Sequence, residues 1–187
     1  TLSLHDALPI SRYVPEENTR LLPKNCYRQY RQYSKVQTVL KNNLISLLDM
    51  TFPNANRLFN SPARADGSEK WVDFVAEFWH CECVSERPLK SFVNKYWRWC
   101  RKHGYNFSEE KAHAIYDEAS GHIGVMPKSE TTKLLVEQAV SQLSATSAAL
   151  AALKQEMQSL SSQLPEYPVV MGMFGVGPIL GPQLIAE

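Results

Sequence analysis

A seven-residue repeat of apolar side chains constrains the fold more than any other feature of this sequence. Its first series has five members, spaced seven residues apart: Val136, Leu143, Leu150, Met157 and Leu164. The second series is offset by three residues: Ala139, Thr146, Leu153 and Leu160. Heptads of this kind are typical of a helix that buries a narrow seam against another helix. Because neither Gly nor Pro interrupts the repeat, the sequence predicts one long coiled-coil helix over 131–164.

A second long helix is predicted from Thr19 to Asp49, opened by the segment Pro15-Glu16-Glu17 and with a possible jog at Pro23. Its apolar residues recur at three- and four-residue steps: Tyr30, Tyr33, Val36, Leu40, Leu44 and Leu47. Neither long helix can bury its stripe alone, so we expect the two to pair as antiparallel arms. Dimerisation through the heptad seam is the competing arrangement.

Shorter helices are predicted between the arms, at Trp71–His80, Pro88–His103 and 109–120, after a polar loop at Ser61–Lys70. Ser108 is the expected N-cap of the last of these, and Gly104 the stop of the one before it. The middle helix is expected to bury Phe92, Val93, Tyr96 and Trp97. No segment has the alternation of a strand, so the predicted fold is all-α: a long helical hairpin or coiled coil with a short helical insert.

The predicted segments are 11–60 (first arm), 61–130 (helical insert), 131–164 (coiled coil) and 165–187 (start of a further domain). Residues 1–10 resemble a translated sequencing adapter and are treated as a non-native leader. The chain starts at Thr1 rather than Met and ends at Glu187 within an apolar helical pattern, so we expect further sequence on both sides.

Composition restricts the class of protein. Hydrophobic residues make up 44% and charged residues 21%, as in globular domains, and the net charge is only +1. Any nucleic-acid binding must therefore depend on local basic patches. The sequence lacks an apolar stretch of membrane-spanning length and a signal peptide, so we expect no membrane partner, a cytoplasmic location and reduced cysteines.

The segment Phe174 to Pro178 fits the turn of a helix–hairpin–helix, because Gly175-Val176-Gly177 separates two short apolar helices. The two glycines allow a tight turn with φ > 0 and bring the backbone close to a phosphate. Amide N–H groups at the start of the following helix then face that phosphate, a contact that does not read base sequence. We expect a side chain at Gly177 to block this approach and to strain the turn; an ordinary helix connection is the alternative.

Two predicted helices carry basic faces beside aromatic residues, a pattern that suits a nucleic-acid backbone. The candidate DNA-binding residues on the first are Arg28, Arg31 and Lys35. Those on the second are Arg98, Arg101 and Lys102, with Lys95 on the same outward side. Solvated helix faces with no partner are the alternative interpretation.

No pattern of acids, nucleophiles or nucleotide-binding glycines predicts a catalytic site, so we assign no catalytic and no metal-binding residue. One donor set leaves zinc open as an alternative: Cys81, Cys83, Cys100 and His103. Thiolate and imidazole are suitable zinc ligands, although buried free cysteines are common.

From Leu164-Pro165 through Gly175-Val176-Gly177-Pro178 to Glu187, preceded by the heptad helix, the sequence resembles the opening of the C-terminal domain of DEDD insertion-sequence transposases. That family has a resolvase-like N-terminal domain, a coiled coil and a serine-bearing C-terminal domain, and is guided by a bridge RNA. The resemblance covers roughly 12–187 and is weakest at 61–121, which looks like a lineage-specific insert.

The resemblance implies DNA transposition and recombination by a parent enzyme that uses Mg²⁺ held by carboxylates and a serine nucleophile. It places the four metal-binding acids before Arg12 and the serine after Glu187, so no cofactor and no activity is expected of this chain alone. The implied partners are DNA, a bridge RNA and further copies of the chain. A non-enzymatic coiled-coil interaction protein and a zinc-dependent nucleic-acid-binding module are the alternatives.

Overall fold

The computed structural model describes the backbone of residues 18–186 and the side chains of residues 20–186. The proposed leader at 1–10 and the helix opening at Pro15 lie outside these residues. Within them the fold is all-α, as predicted, with eight α-helices, one short 3-10 helix and no strand. The elements are α1 (Asn18–Thr51), the 3-10 helix Ala55–Arg57, α2 (Lys70–Glu77), α3 (Glu82–Ser85), α4 (Leu89–His103), α5 (Glu109–Gly121), α6 (Glu130–Ser161), α7 (Tyr167–Met171) and α8 (Leu180–Ala186).

The chain divides into two compact units, and the long helices α1 and α6 contribute residues to both. The larger unit is Tyr30–Leu153. The smaller unit comprises, in the described chain, residues 18–29 and 154–186.

In the larger unit, α1 and α6 run antiparallel, as expected from their unpaired apolar stripes. Gln37 Nε2 donates to Ser147 Oγ at 2.8 Å, and the Met126 amide donates to the Met50 carbonyl at 3.0 Å. The C-terminal end of α1 therefore lies near the segment that leads into the N-terminus of α6.

The heptad seam of α6 is buried as predicted. Val136, Leu143 and Leu150 are buried in the larger unit, and Met157 is buried in the smaller. The helix ends at Ser161, three residues before the predicted end, so Leu164, which is also buried, lies beyond α6. The stripe predicted on α1 is wrong at one position, because Val36 is 46% exposed. The next residue, Gln37, faces α6 instead and donates a hydrogen bond to it. Successive residues of a helix point about 100° apart, so Val36 then points away from α6.

Aromatic side chains fill the core of the larger unit around Phe74, which is fully buried. Its ring lies 4.6 Å from that of Phe78, 5.3 Å from Phe59 and 5.6 Å from Trp99, measured between centroids. Stacked and edge-to-face pairs of this kind each contribute about 0.5–1.5 kcal/mol beyond their burial. The short helices α2 and α4 are thereby fixed against each other.

The polar loop before α2 is held against α6 at Gly67, a contact that the sequence pattern does not predict. Gly67 has φ +85°, and an added Cβ would lie 2.4 Å from the Ser147 carbonyl oxygen. The turn is closed by Asp66, whose carboxylate accepts from the backbone N–H and the hydroxyl of Ser68 at 2.9 and 2.8 Å. The loop is therefore packed at Gly67, whereas Ser61 to Asp66 are exposed, as expected of a polar loop.

In the smaller unit, an ion pair joins Arg20 of α1 to Glu166 at 3.0 Å. Pro23 lies inside α1 and is buried, and α1 continues past it without a break. The two short helices predicted near the C-terminal end are present as α7 and α8.

Candidate nucleic-acid interface

Three of the predicted DNA-binding residues project from the C-terminal half of α4. Arg98, Arg101 and Lys102, called the α4 cations below, are all exposed. The helix ends as predicted at Gly104, which has φ +66°, and cations near a helix C-terminus interact favourably with its dipole. The basic surface of α4 is therefore open to a large polyanion.

The inward face of α4 differs from the prediction at one residue, Trp97. Trp97 is 41% exposed and carries the Arg101 guanidinium carbon 5.0 Å from its ring centroid. Trp99 is buried in its place, at 2% exposure. The predicted outward Lys95 is only half-exposed, because it pairs with Glu77 at 3.3 Å and lies over Phe78. Trp97 and Arg101 thus extend the exposed surface, whereas Lys95 does not.

The predicted cations of α1 are also on the surface. Arg28 is exposed in the smaller unit, and Arg31 and Lys35 are exposed in the larger unit. The structure gives them no specific geometry toward a ligand.

The turn between α7 and α8 has one left-handed glycine rather than two. Gly175 has φ +81° and is exposed, whereas Gly177 lies outside the left-handed range. A Cβ added at Gly177 would meet no atom within 4 Å, so the expectation that any side chain there strains the turn is wrong. Only Gly175 is required by backbone conformation.

The proposed zinc ligands do not converge. Cys81 and Cys100 are buried, the Cys100 thiol lies beside the Tyr96 hydroxyl, and the His103 ring packs on Trp99. Burial raises the pKa of the Cys100 thiol, which favours its neutral form. Among residues 18–186, no three His, Cys, Asp or Glu side chains lie close enough to hold a metal ion. The geometry gives the zinc alternative no support.

A second group of cations, not singled out by the sequence pattern, surrounds two aromatic rings in the larger unit. The Arg64 guanidinium carbon lies 3.9 Å from the Tyr105 ring centroid. Lys70 Nζ lies 5.2 Å from the same centroid and 5.0 Å from that of Phe59. Lys111 Nζ lies 5.6 Å from the Phe59 centroid. We call Arg64, Lys70 and Lys111 the Tyr105 cluster.

No protein-family model, curated protein or solved structure matches this chain. None of the helices in the described range combines the length and apolar character needed to cross a membrane.

Proposed function

We propose that this chain is the DNA-binding part of an insertion-sequence transposase of the DEDD, bridge-RNA-guided type, acting in DNA transposition and recombination in the cytoplasm. DNA, a bridge RNA and further copies of the chain are the proposed partners. The parent enzyme would use Mg²⁺ and a serine nucleophile, but none of the residues assigned here has a chemical role. We expect the chain alone to bind DNA without cleaving it.

The observation that carries the proposal is a set of available backbone donors in the exposed turn between α7 and α8. The amides of Gly175, Gly177 and Ile179 have no acceptor within the part of the chain that the structure describes. Neither Lys nor Arg occurs from Pro165 to Glu187, so side-chain cations cannot supply the attraction. Amides without an internal acceptor can bind a phosphate and make no contact with the bases.

Replacing Gly177 by valine tests the proposal. An added Cβ there meets open space, so Gly177→Val should leave the fold intact while it covers the donors against a phosphate. We expect binding of a fluorescein-labelled DNA duplex, measured by anisotropy, to weaken by about 10-fold, since one or two charge-assisted hydrogen bonds are lost. Far-UV circular dichroism should be unchanged.

The matched control is Gly121→Val, because Gly121 ends α5 in the larger unit and also has no atom within 4 Å of an added Cβ. It should bind DNA like the parent chain. Equal affinity of the Gly177→Val chain and the parent would leave the turn as a connector without a role in DNA binding.

A protein-interaction module is the second candidate function, and exposed apolar residues of the smaller unit favour it. Phe174 is fully exposed, and Val169 and Met173 are 72% and 56% exposed. Large apolar side chains in such a group are typical of protein contacts. Phe174→Ser should then reduce self-association in sedimentation velocity, whereas the DNA-binding proposal predicts a loss of DNA affinity only for the turn and cation variants.

A further inference from the structure

The Tyr105 cluster is held in place by main-chain carbonyls at the end of α4. Arg64 Nη2 donates to the carbonyls of His103 at 2.8 Å and Gly104 at 3.1 Å, and Lys70 Nζ donates to the Asn106 carbonyl at 3.4 Å. The other two guanidinium nitrogens of Arg64 have no hydrogen-bond partner among the described residues. Arg64 is thus fixed in one orientation and still presents donors outward.

The positive charges of the cluster are not neutralised by an ion pair. Within residues 20–186, no carboxylate oxygen lies within 4.0 Å of the charged nitrogens of Arg64, Lys70 or Lys111. Two carboxylates lie in the neighbourhood: Asp73 accepts from the Tyr105 hydroxyl at 2.6 Å, and Asp66 accepts from Ser68 in its own turn. The hydrogen bonds from Ser68 and the charge of Arg64 lower the pKa of Asp66.

Lys70 is repelled by the other two cations of the cluster. Burial is the main cause that lowers the pKa of Lys70, and the charges of Lys111 and Arg64 lower it further. Like charges held together without an ion-pair partner disfavour the folded chain. An anion bound among them would relieve that repulsion, and an anion with several oxygens could accept from all three side chains.

We propose that the Tyr105 cluster binds a phosphate group. A planar guanidinium with two lysine ammonium groups suits the several oxygens of phosphate, because arginine forms paired hydrogen bonds to it and lysine acts as a point charge. The source that we assign is the phosphodiester backbone of a nucleic acid, and this step rests on the proposed function. The site itself stands on the geometry of its residues.

The contact is expected to be independent of base sequence. Tyr105 is stacked against Trp99, with ring centroids 5.2 Å apart and planes 20° apart, and its ring also carries Arg64. The ring therefore has little surface left on which a base could stack. Recognition then depends on the phosphate and not on the base, and each phosphate contact contributes a salt-dependent increment of affinity.

The test combines Arg64→Gln, Lys70→Gln and Lys111→Gln in the full 187-residue chain. Its matched control removes the same charge elsewhere in the larger unit, at Arg87, Lys90 and Lys133, each changed to Gln. Lys90 lies at the far end of α4 from His103, about 20 Å away along the axis. Thermal unfolding checks that each variant folds. If the triple variant does not fold, Arg64→Gln with Lys111→Gln, which leaves the half-buried Lys70 in place, replaces it.

Two ligands separate the sources of phosphate: a labelled DNA duplex, followed by anisotropy over a salt range, and inorganic phosphate, followed by calorimetry. We expect the cluster variant to bind duplex about 10-fold more weakly than the control, and its plot of log affinity against log salt to be shallower by about 2–3. Loss of inorganic phosphate binding with unchanged duplex binding supports a site for free phosphate and overturns the nucleic-acid source.

If duplex and inorganic phosphate both bind the variant as they bind the control, the proposal is overturned, and the cations serve only to stabilise the rings beneath them. In that outcome the turn at Gly177 can still bind DNA, so the proposed function survives. If no form of the chain binds duplex but the parent binds inorganic phosphate through the cluster, the proposed function fails and the phosphate site stands.

Discussion

The contact between Gly67 and α6 allows a quantitative test of the fold. Gly67→Ala should lower the free energy of unfolding through two separate effects. A left-handed φ of +85° disfavours any residue with a Cβ by about 1–2 kcal/mol. The Cβ would also lie 2.4 Å from the Ser147 carbonyl oxygen, and a clash with backbone of this kind costs about 1–3 kcal/mol as the loop shifts away. The expected total is about 2–5 kcal/mol.

Gly104→Ala is the matched control, because it carries only the first effect. Gly104 has φ +66°, but the nearest atom to an added Cβ is Arg64 Nη2 at 3.8 Å, an ordinary contact. Urea unfolding followed by tryptophan fluorescence should therefore show a smaller loss, about 1–2 kcal/mol. Equal losses for the two variants would mean that the loop is not held against α6, and would refute the packing argument.

Two further outcomes follow from the seam and from the basic surface of α4. Leu150→Asp places a charge at a site that is 7% exposed and should destabilise the chain by about 4 kcal/mol or more. The control, Ala152→Asp on the exposed side of α6, should change the thermal midpoint little. A Leu150→Asp chain that melts like the parent contradicts the pairing of the arms. Changing the α4 cations to Ala should make the slope of log affinity against log salt for duplex binding shallower by about 2–3. The control variant of the Tyr105 cluster is measured beside it. An unaltered slope would mean that the α4 cations are solvated charges without contact to DNA.

Local patterns predicted the longer helices of the fold, but not the short helix α3 or the 3-10 helix. The seven-residue spacing predicted the buried series from Val136 to Leu164, and the ends of the insert helices followed from Gly104 and from Ser108, whose hydroxyl accepts from the Lys111 amide at 3.2 Å. Both features depend on residues within a few turns of one helix. Two assignments failed: Gln37, one residue on, takes the place of Val36, and Trp99, two residues on, is buried instead of Trp97, because an apolar residue beside the stripe fits the same periodicity.

Contacts between distant segments could not be predicted in this way. The Tyr105 cluster joins a loop, the start of α2 and the first turn of α5, and its two rings come from other segments again. Arg64 and Lys70 flank a stretch that looks like a solvated loop in the sequence. Only the packing of that loop, through Gly67 and the carbonyls of α4, brings the charges together. Tertiary structure, rather than periodicity, creates this candidate site.

The affinity of the unaltered chain for DNA over a range of salt concentrations tests the central claim most directly. The proposed function predicts binding to duplexes of unrelated sequence with similar affinity, and a steep loss of affinity as salt rises, with a slope of about −0.9 for each phosphate neutralised. Anisotropy of two labelled duplexes between about 50 and 200 mM salt is sufficient. If neither duplex binds at the lowest salt, or if the affinity does not depend on salt, the assignment of this chain to DNA binding is contradicted.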